Sequence, residues 1–296
     1  SYNRGKIDKL NGSSFWQSSS WAGTAAAGIE DFLVEEGGRL GEVYGYKTDG
    51  FYTADDFTFD AEKGTYALKA GVNDCSSLIG GKVYPGSIKL KANEDGEYKK
   101  ERLGNTVPTV SGGFGLNARW KGFDFTAFFN YSLGNKIVNA TKLGSSFYSG
   151  SSKNWNINDH FTSANRYSWI DPSTGTNLLS SASIKANGEA WTINRLNEVN
   201  TGSSIWNPAA ATVMPLVDWA VEDGSFLRVN NITIGYTLPK LFVSKLNIQN
   251  IRIYVTGYNL HCFTKYSGTD PEVDCCTSTP MTPGIDYAAY PKSRSF

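Results

Sequence analysis

Apolar and polar positions alternate most strictly over residues 110–133. Val110, Phe114, Leu116, Ala118 and Trp120 share one parity, while Ser111, Gly113, Gly115, Asn117, Arg119 and Lys121 share the other. Successive side chains of a strand point to opposite faces, so this pattern predicts a strand with one apolar and one polar face. A Lys121–Gly122 turn follows. Phe123, Phe125, Ala127, Phe129, Tyr131 and Leu133 then alternate with Asp124, Thr126, Asn130 and Ser132, and Phe128 is the exception on the polar side. The two runs predict a tight hairpin of long strands.

A second pair lies at 225–263. Ile232, Ile234, Tyr236 and Leu238 alternate with Asn231, Thr233, Gly235 and Thr237, whereas Leu227 and Val229 upstream have the opposite parity. The switch near Asn230–Asn231 predicts a bulge. Pro239 ends the strand, the linker KLFVSKLNIQ has room for one helical turn, and Ile251, Ile253, Val255 and Gly257 then alternate with Arg252, Tyr254, Thr256 and Tyr258.

The connections are very unequal. The turn at 121–122 is minimal and the linker at 240–249 is short, but the stretches at about 9–108 and 135–224 are long and without sustained period, although GRLGEVYGYKTDGFY reads partly as strand. Loops of this length are uncommon in compact soluble domains, whereas outer-membrane barrels join strands by short periplasmic turns and long extracellular loops. On that reading 1–8 runs outward, 109–121 inward, 123–134 outward, 225–238 inward and 250–263 outward, with a further strand beginning at Lys292–Phe296. The long runs meet the roughly 9–11 residues a tilted strand needs to cross a bilayer. A soluble β-sandwich would alternate equally well. Unequal loops, and aromatics at the apolar strand ends (Trp120, Phe123, Tyr131, Tyr236), favour the membrane barrel.

Composition agrees. Aromatics are 14% of the 296 residues and Gly is abundant at 31, as suits a β-rich chain with many turns. No apolar run approaches the 18 or so residues of a membrane helix; the best, Trp21–Ile29, is short. Lys plus Arg equals Asp plus Glu at 28 each, so the basic excess of a nucleic-acid binder is absent. Cys75, Cys262, Cys275 and Cys276 fit no zinc ligand spacing, and a disulfide or free thiols both remain open. The opening residues show no signal-peptide pattern. The opening SYNRGKIDKL reads like a strand's end and the closing YPKSRSF like a strand's start, so the expectation is a segment of a longer protein.

Four stretches resemble the C-terminal region of SusC/RagA-type TonB-dependent outer-membrane transporters: LGEVYGYKTDGFY at 40–52, the run from YPGSIKLKANEDGE to FFNYSLGNKIVN at 84–139, SFLRVNNITIGYTLPKLFVSKLNIQNIRIYVTGYNLHCFTKYSGTDPEV at 225–273, and GIDYAAYPKSRSF at 284–296. They cover well over half the chain in the family's order. The resemblance implies an all-β fold, the C-terminal part of a transmembrane antiparallel β-barrel, spanning 1–296 without the plug domain or the final strand. It implies TonB-dependent import of glycans or oligopeptides across the bacterial outer membrane. The partners would be a SusD-like surface lipoprotein and, through a missing N-terminal region, the TonB complex. An alternative is a non-transporting adhesin or carbohydrate-binding β-protein, which would lack an upstream plug and TonB-contacting segment.

Candidate sites follow. KANEDGEYKKER at 91–102 sits where many family members carry an acidic, calcium-type loop, but Lys91, Asn93, Asp95 and Arg102 occupy the first, third, fifth and twelfth positions. Two cations there defeat a calcium site, and a charged turn bending at Gly96 is expected instead. Asn117, Arg119, Asp124, Asn130, Arg252 and Tyr254 are expected to face the lumen, tuning selectivity or satisfying polar partners. Tyr148, Trp155, Trp169, Trp191 and Trp206 are candidates for substrate or partner contact, set against packing among the loops. His160 and His261 complete no catalytic or metal grouping, and GGFG at 112–115 lies within a strand, so it is no phosphate loop. Neither enzymatic activity nor a cofactor is expected.

Overall fold

The computed structural model describes residues 1–2, 4–18, 30–148, 156–243, 248–272, 274, 280–288 and 290–296. The first part forms β1 (Phe15–Ser18), β2 (Glu30–Val34), β3 (Glu42–Gly45), β4 (Thr48–Phe51), β5 (Phe57–Asp60), β6 (Thr65–Leu68), α1 (Ser76–Ile79), β7 (Ile88–Leu90) and β8 (Glu101–Asn105). The hairpin β9 (Val110–Trp120) and β10 (Phe123–Leu133) follows, then β11 (Lys136–Asn139), α2 (Ala140–Gly144), α3 (Ser181–Val199) and β12 (Val221–Asp223). Last come β13 (Phe226–Thr237), α4 (Lys240–Val243), β14 (Arg252–Thr264) and β15 (Ile285–Asp286).

The alternating runs become the long strands. They form one antiparallel sheet in the order β14-β13-β10-β9. Trp120 pairs with Phe123 across a two-residue turn whose Lys121 and Gly122 have φ of 46° and 89°. Positive φ at both positions is the mirror-image turn that matches the twist of a hairpin, and glycine takes it without steric cost. The bulge falls where the parity switched: Asn230 is skipped between Val229 and Asn231 in the ladders to both neighbours. α4 supplies the helical turn of the linker.

In this register the apolar residues fall into transverse rows on one face. Trp120, Phe123, Tyr236 and Ile253 make one row, and Ala118, Phe125, Ile234 and Val255 the next. They converge on no packed centre. Ile234 is 52% exposed although β13 has neighbours on both sides, so its exposure does not come from an open sheet edge. From Phe123 to Tyr131 the strand advances about 27 Å at roughly 3.4 Å per residue. Tilted by about 40°, that is about 20 Å of height, close to the roughly 25 Å apolar band of an outer-membrane barrel. Aromatics mark both ends: Phe123 against Tyr236 at 4.5 Å near the turn, and Tyr131 in the row of Phe263 at the other end.

Two expectations need correction. The sheet is open, as part of a barrel would be, but among the described residues neither terminal segment forms a strand: residues 1–8 contribute one antiparallel bridge, Tyr2 to Val110, and the last residues another, Ser295 to Tyr258. The long aperiodic stretches are also not structureless. With β1–β8, α1–α3, β11, β12 and β15 they build a unit with its own core, in which Tyr52, Phe57, Ile79, Leu143, Tyr167, Leu178, Ile184 and Leu196 are fully buried. Its strands are too short for alternation to register, because each runs for only two to five residues. α3 begins at Ser180, whose hydroxyl accepts from Ser183 N, and is interrupted at Gly188, where φ is 77°.

Candidate functional site

The polar face of the long sheet is organised by register. Asn117, Thr126, Thr233 and Thr256 stand in one row: Thr126 Oγ1 donates to Asn117 Oδ1 at 3.0 Å, and the Thr233 and Thr256 hydroxyls are 2.9 Å apart. The next row toward the turn is Arg119, Asp124, Gly235 and Tyr254. Gly235 leaves no side chain between Asp124 and Arg252, whose guanidinium donates to both carboxylate oxygens at 2.9 and 2.5 Å and lies 4.9 Å from the Tyr254 ring centre. A cavity of about 780 Å³ opens beside Asn117, Arg119, Asp124, Thr126 and Arg252. The expected lumen-facing residues thus share one face, and Phe128, also on it, packs its ring over Gly113.

At the far end of that face the charges are buried. Arg228, 4% exposed, lies opposite Asn130 and Cys262. Its guanidinium meets Asp270 at 2.5 Å and Glu272 at 2.6 Å; Glu272 also takes Lys292 Nζ at 2.7 Å and Asn130 Nδ2 at 3.2 Å. Taking charges from water is costly unless each is paired, and this network pairs them while strapping residues 270–272 across the sheet. Nothing in local spacing announces Arg228, since its partners lie on a later segment.

Of the loop aromatics, Tyr148 and Trp191 are 49% and 43% exposed. Trp169 is half-buried, its indole N–H donating to Pro85 O at 2.6 Å and its ring 5.6 Å from Tyr84. Trp206 is buried: it donates to Ser146 O at 3.1 Å and packs on Trp219 and Phe161, so its role here is packing. Trp155 lies outside the described residues. His261 packs on Phe263 at 4.4 Å, and His160 meets the Trp219 edge at 5.8 Å.

The 91–102 segment is a turn built on Asn93, whose side-chain oxygen accepts from Asp95 N and Glu97 N, with Gly96 at φ 80°. Cys75 and Cys262 are free thiols, Cys75 fully buried beside the Tyr52 hydroxyl, where burial pushes its pKa up; Cys275 and Cys276 lie outside the described residues. In the loop unit Arg195 forks onto Asp171 through Nε and Nη2, both at 2.7 Å, and these bonds hold the Asp171 carboxyl well below the usual carboxylate range.

No family model matches the chain. TonB-dependent receptor P3 of Formosa agariphila is 29% identical over 269 residues, which is 89% of this chain and 22% of the receptor. TonB-dependent receptor P39 of the same organism is 26% identical over 88% of this chain and 24% of its own length. TonB-dependent receptor SusC of Bacteroides thetaiotaomicron is 35% identical over 81 residues, 27% of this chain and 7% of SusC. The chain therefore spans about a quarter of the length of the curated relatives it matches most fully. Among solved structures, the RagAB peptide transporter aligns with 99% of this chain and 25% of its own at a TM-score of 0.57 and 20% identity; the closed-closed RagAB peptide importer gives 0.54. The fold is the mostly-β fold of that importer. With a long antiparallel sheet that is apolar on one face and polar on the other, and with the relatives named above all TonB-dependent receptors, the chain is similar over nearly its whole length to a segment of a SusC/RagA-type TonB-dependent receptor.

Proposed function

We propose that residues 1–296 form the C-terminal part of the barrel wall and outer loops of an importer in the bacterial outer membrane. The complete receptor moves glycans or oligopeptides inward, driven by the TonB complex through a part outside this segment. A SusD-like lipoprotein caps it. The observation that carries this reading is the division of apolar residues into two populations. One packs the core of the loop unit, and the other, including Phe114, Leu116, Ile234 and Ile253, is displayed outward on a sheet whose opposite face is polar. Water would disfavour such a face, and hydrocarbon is its natural solvent. An open sheet edge is costly in lipid, so β9 and β14 would pair with further strands of a closed wall.

On this reading Asn117, Arg119, Asp124, Asn130, Arg252 and Tyr254 line the channel, and Tyr148, Trp169 and Trp191 are available to substrate or lipoprotein. The segment performs no catalytic step. The test is membrane fractionation of the complete protein, followed by gel electrophoresis with and without heating and by substrate-dependent growth with and without a working TonB complex. Sedimentation with the outer membrane, a heat-dependent mobility shift and TonB-dependent growth are expected. A soluble protein without the shift would defeat the proposal.

A further inference from the structure

At the end of the long sheet away from the Lys121–Gly122 turn, the last row of the apolar face is Val110 and Leu133. Tyr2, 65% exposed, extends that row, because its bridge to Val110 sets the two side chains directly opposite each other. The Ser1 amino group donates to Ser111 O and Ser111 N donates to Ser1 O, so residues 1–2 run antiparallel to β9 and the chain leaves the sheet beyond its end. Ile7 then joins the Gly37–Gly38 turn: Ile7 N donates to Gly38 O at 2.9 Å and Gly37 N to Ile7 O at 2.8 Å. Where these segments meet, Gly5, Lys6, Ile7, Arg39, Leu40 and Val107 line a cavity of about 260 Å³. Val107 precedes Val110 by three residues, so chain length alone keeps the cavity wall within roughly 10 Å of the last apolar row.

The lining joins two cations to three apolar side chains and contains no carboxylate. Neither Lys6 nor Arg39 forms an ion pair among the described residues. Neighbouring acids stand outside the lining: Glu36 accepts from Leu10 N at 2.8 Å, Glu42 pairs with Arg102 at 3.0 Å, and Asp8 and Glu35 do not reach the cavity. Lys6 Cε lies 3.7 Å from where a Gly37 Cβ would stand, so its stem follows the turn while the side chain stays exposed. Two uncompensated cations attract an anion. A bilayer is about 30 Å thick through its hydrocarbon and about 40–45 Å through its headgroups, so each headgroup layer occupies roughly 5–8 Å. A cavity within roughly 10 Å of the last apolar row meets that layer. We infer that it holds the phosphate of a lipid in the outer leaflet, with Lys6 and Arg39 on the phosphate and Ile7, Leu40 and Val107 against the first carbons of the lipid chains. A free inorganic anion would leave those three apolar walls unused. The inference goes beyond nutrient import to a specific lipid contact, and it rests on the barrel reading.

The test uses the complete receptor in detergent, titrated by calorimetry with dioctanoyl phosphatidic acid, dioctanoyl phosphatidylcholine and inorganic phosphate. Phosphatidic acid is expected to bind, and the other two probes roughly tenfold more weakly or not at all. At the usual worth of one basic residue beside an anionic lipid surface, Lys6→Gln or Arg39→Gln should raise the Kd for phosphatidic acid roughly fivefold, and the two together roughly thirtyfold. Lys63→Gln removes a cation already paired with Asp60 and should leave that Kd unchanged. Phosphatidylcholine binding as tightly as phosphatidic acid would show that charge is not recognised. Inorganic phosphate binding as tightly would make this a site for the free ion. Either result overturns the assignment, as does a Kd that the double variant leaves unchanged or that Lys63→Gln shifts equally. The heat-dependent mobility shift is followed in every variant: its absence from the unaltered receptor defeats the barrel reading, whereas its presence without preference for phosphatidic acid defeats the lipid site alone.

Discussion

Replacing Leu116 by Arg puts a charge on the face read as lipid-facing. Leu116 lies mid-strand in the row Leu116, Ala127, Ile232 and Gly257, well away from the aromatics at either end, and is 53% exposed. At mid-depth in a bilayer an outward arginine costs a transmembrane barrel about 2–4 kcal/mol, falling to about 0–1 near the interfaces. At 1.4 kcal/mol per factor of ten, this shifts the folding equilibrium by roughly 30- to 1,000-fold. Trp120→Arg, in the row beside the turn, should cost only the interfacial value plus the lost ring. Asn117→Arg, one residue along but on the polar face, should be nearly neutral. The assay is urea titration of the complete receptor refolded into lipid vesicles, followed by tryptophan fluorescence and the unheated gel. Equal costs for Leu116→Arg and Asn117→Arg would refute the two-faced wall, since a one-residue step in a strand must change which solvent the side chain meets.

Arg228→Met leaves the buried Asp270 without its guanidinium and should cost about 3–5 kcal/mol in the same titration, with part regained on adding Asp270→Asn. A Cβ on Gly113 would lie 2.8 Å from the Phe128 ring and 2.9 Å from Phe129 O, whereas one on Gly115 would meet nothing nearer than 3.6 Å. Gly113→Ala should therefore cost about 1–3 kcal/mol, while Gly115→Ala should leave the urea midpoint unchanged. The folded pKa of Asp171 is depressed below its ordinary 3.8, so its contribution is fully present above that pH and is lost as pH falls through the lower folded value. Amide exchange of α3 should accelerate below about pH 4, and Asp171→Asn should remove that dependence.

The long strands were legible because each keeps an apolar and a polar face along its length, so parity alone marks the two; Phe128 broke the pattern because its ring fills the space above Gly113. The loop unit was not legible. Its apolar residues are spread over strands as short as Ile88–Leu90 and over α3, where Ile184 and Leu196 are buried but Gly188 and the buried Thr192 stand between them. The Ser180 cap was the available sign of that helix. Asp124 and Arg252 were each assigned to the polar side from alternation. Their pairing needed the strand order and the blank at Gly235, which no local window contains. Trp206 looked like a contact residue because tryptophan in a polar stretch signals either an anchor or an interface, and only burial distinguishes them.

The Asp124–Arg252 fork reaches from β10 to β14 over the top of β13, a span of two strand spacings or about 10 Å. It fits because a Cβ on Gly235 would fall 2.6 Å from both the Asp124 carboxylate and the Arg252 guanidinium. Such a tie senses three strands at once. Sliding either neighbour by one residue would swing its charged group to the opposite side of the wall, and sliding by two would bring Thr233 or Thr237 beneath the fork. A small absence in the middle strand thereby serves as an alignment mark, checked only when all three pieces have arrived in step.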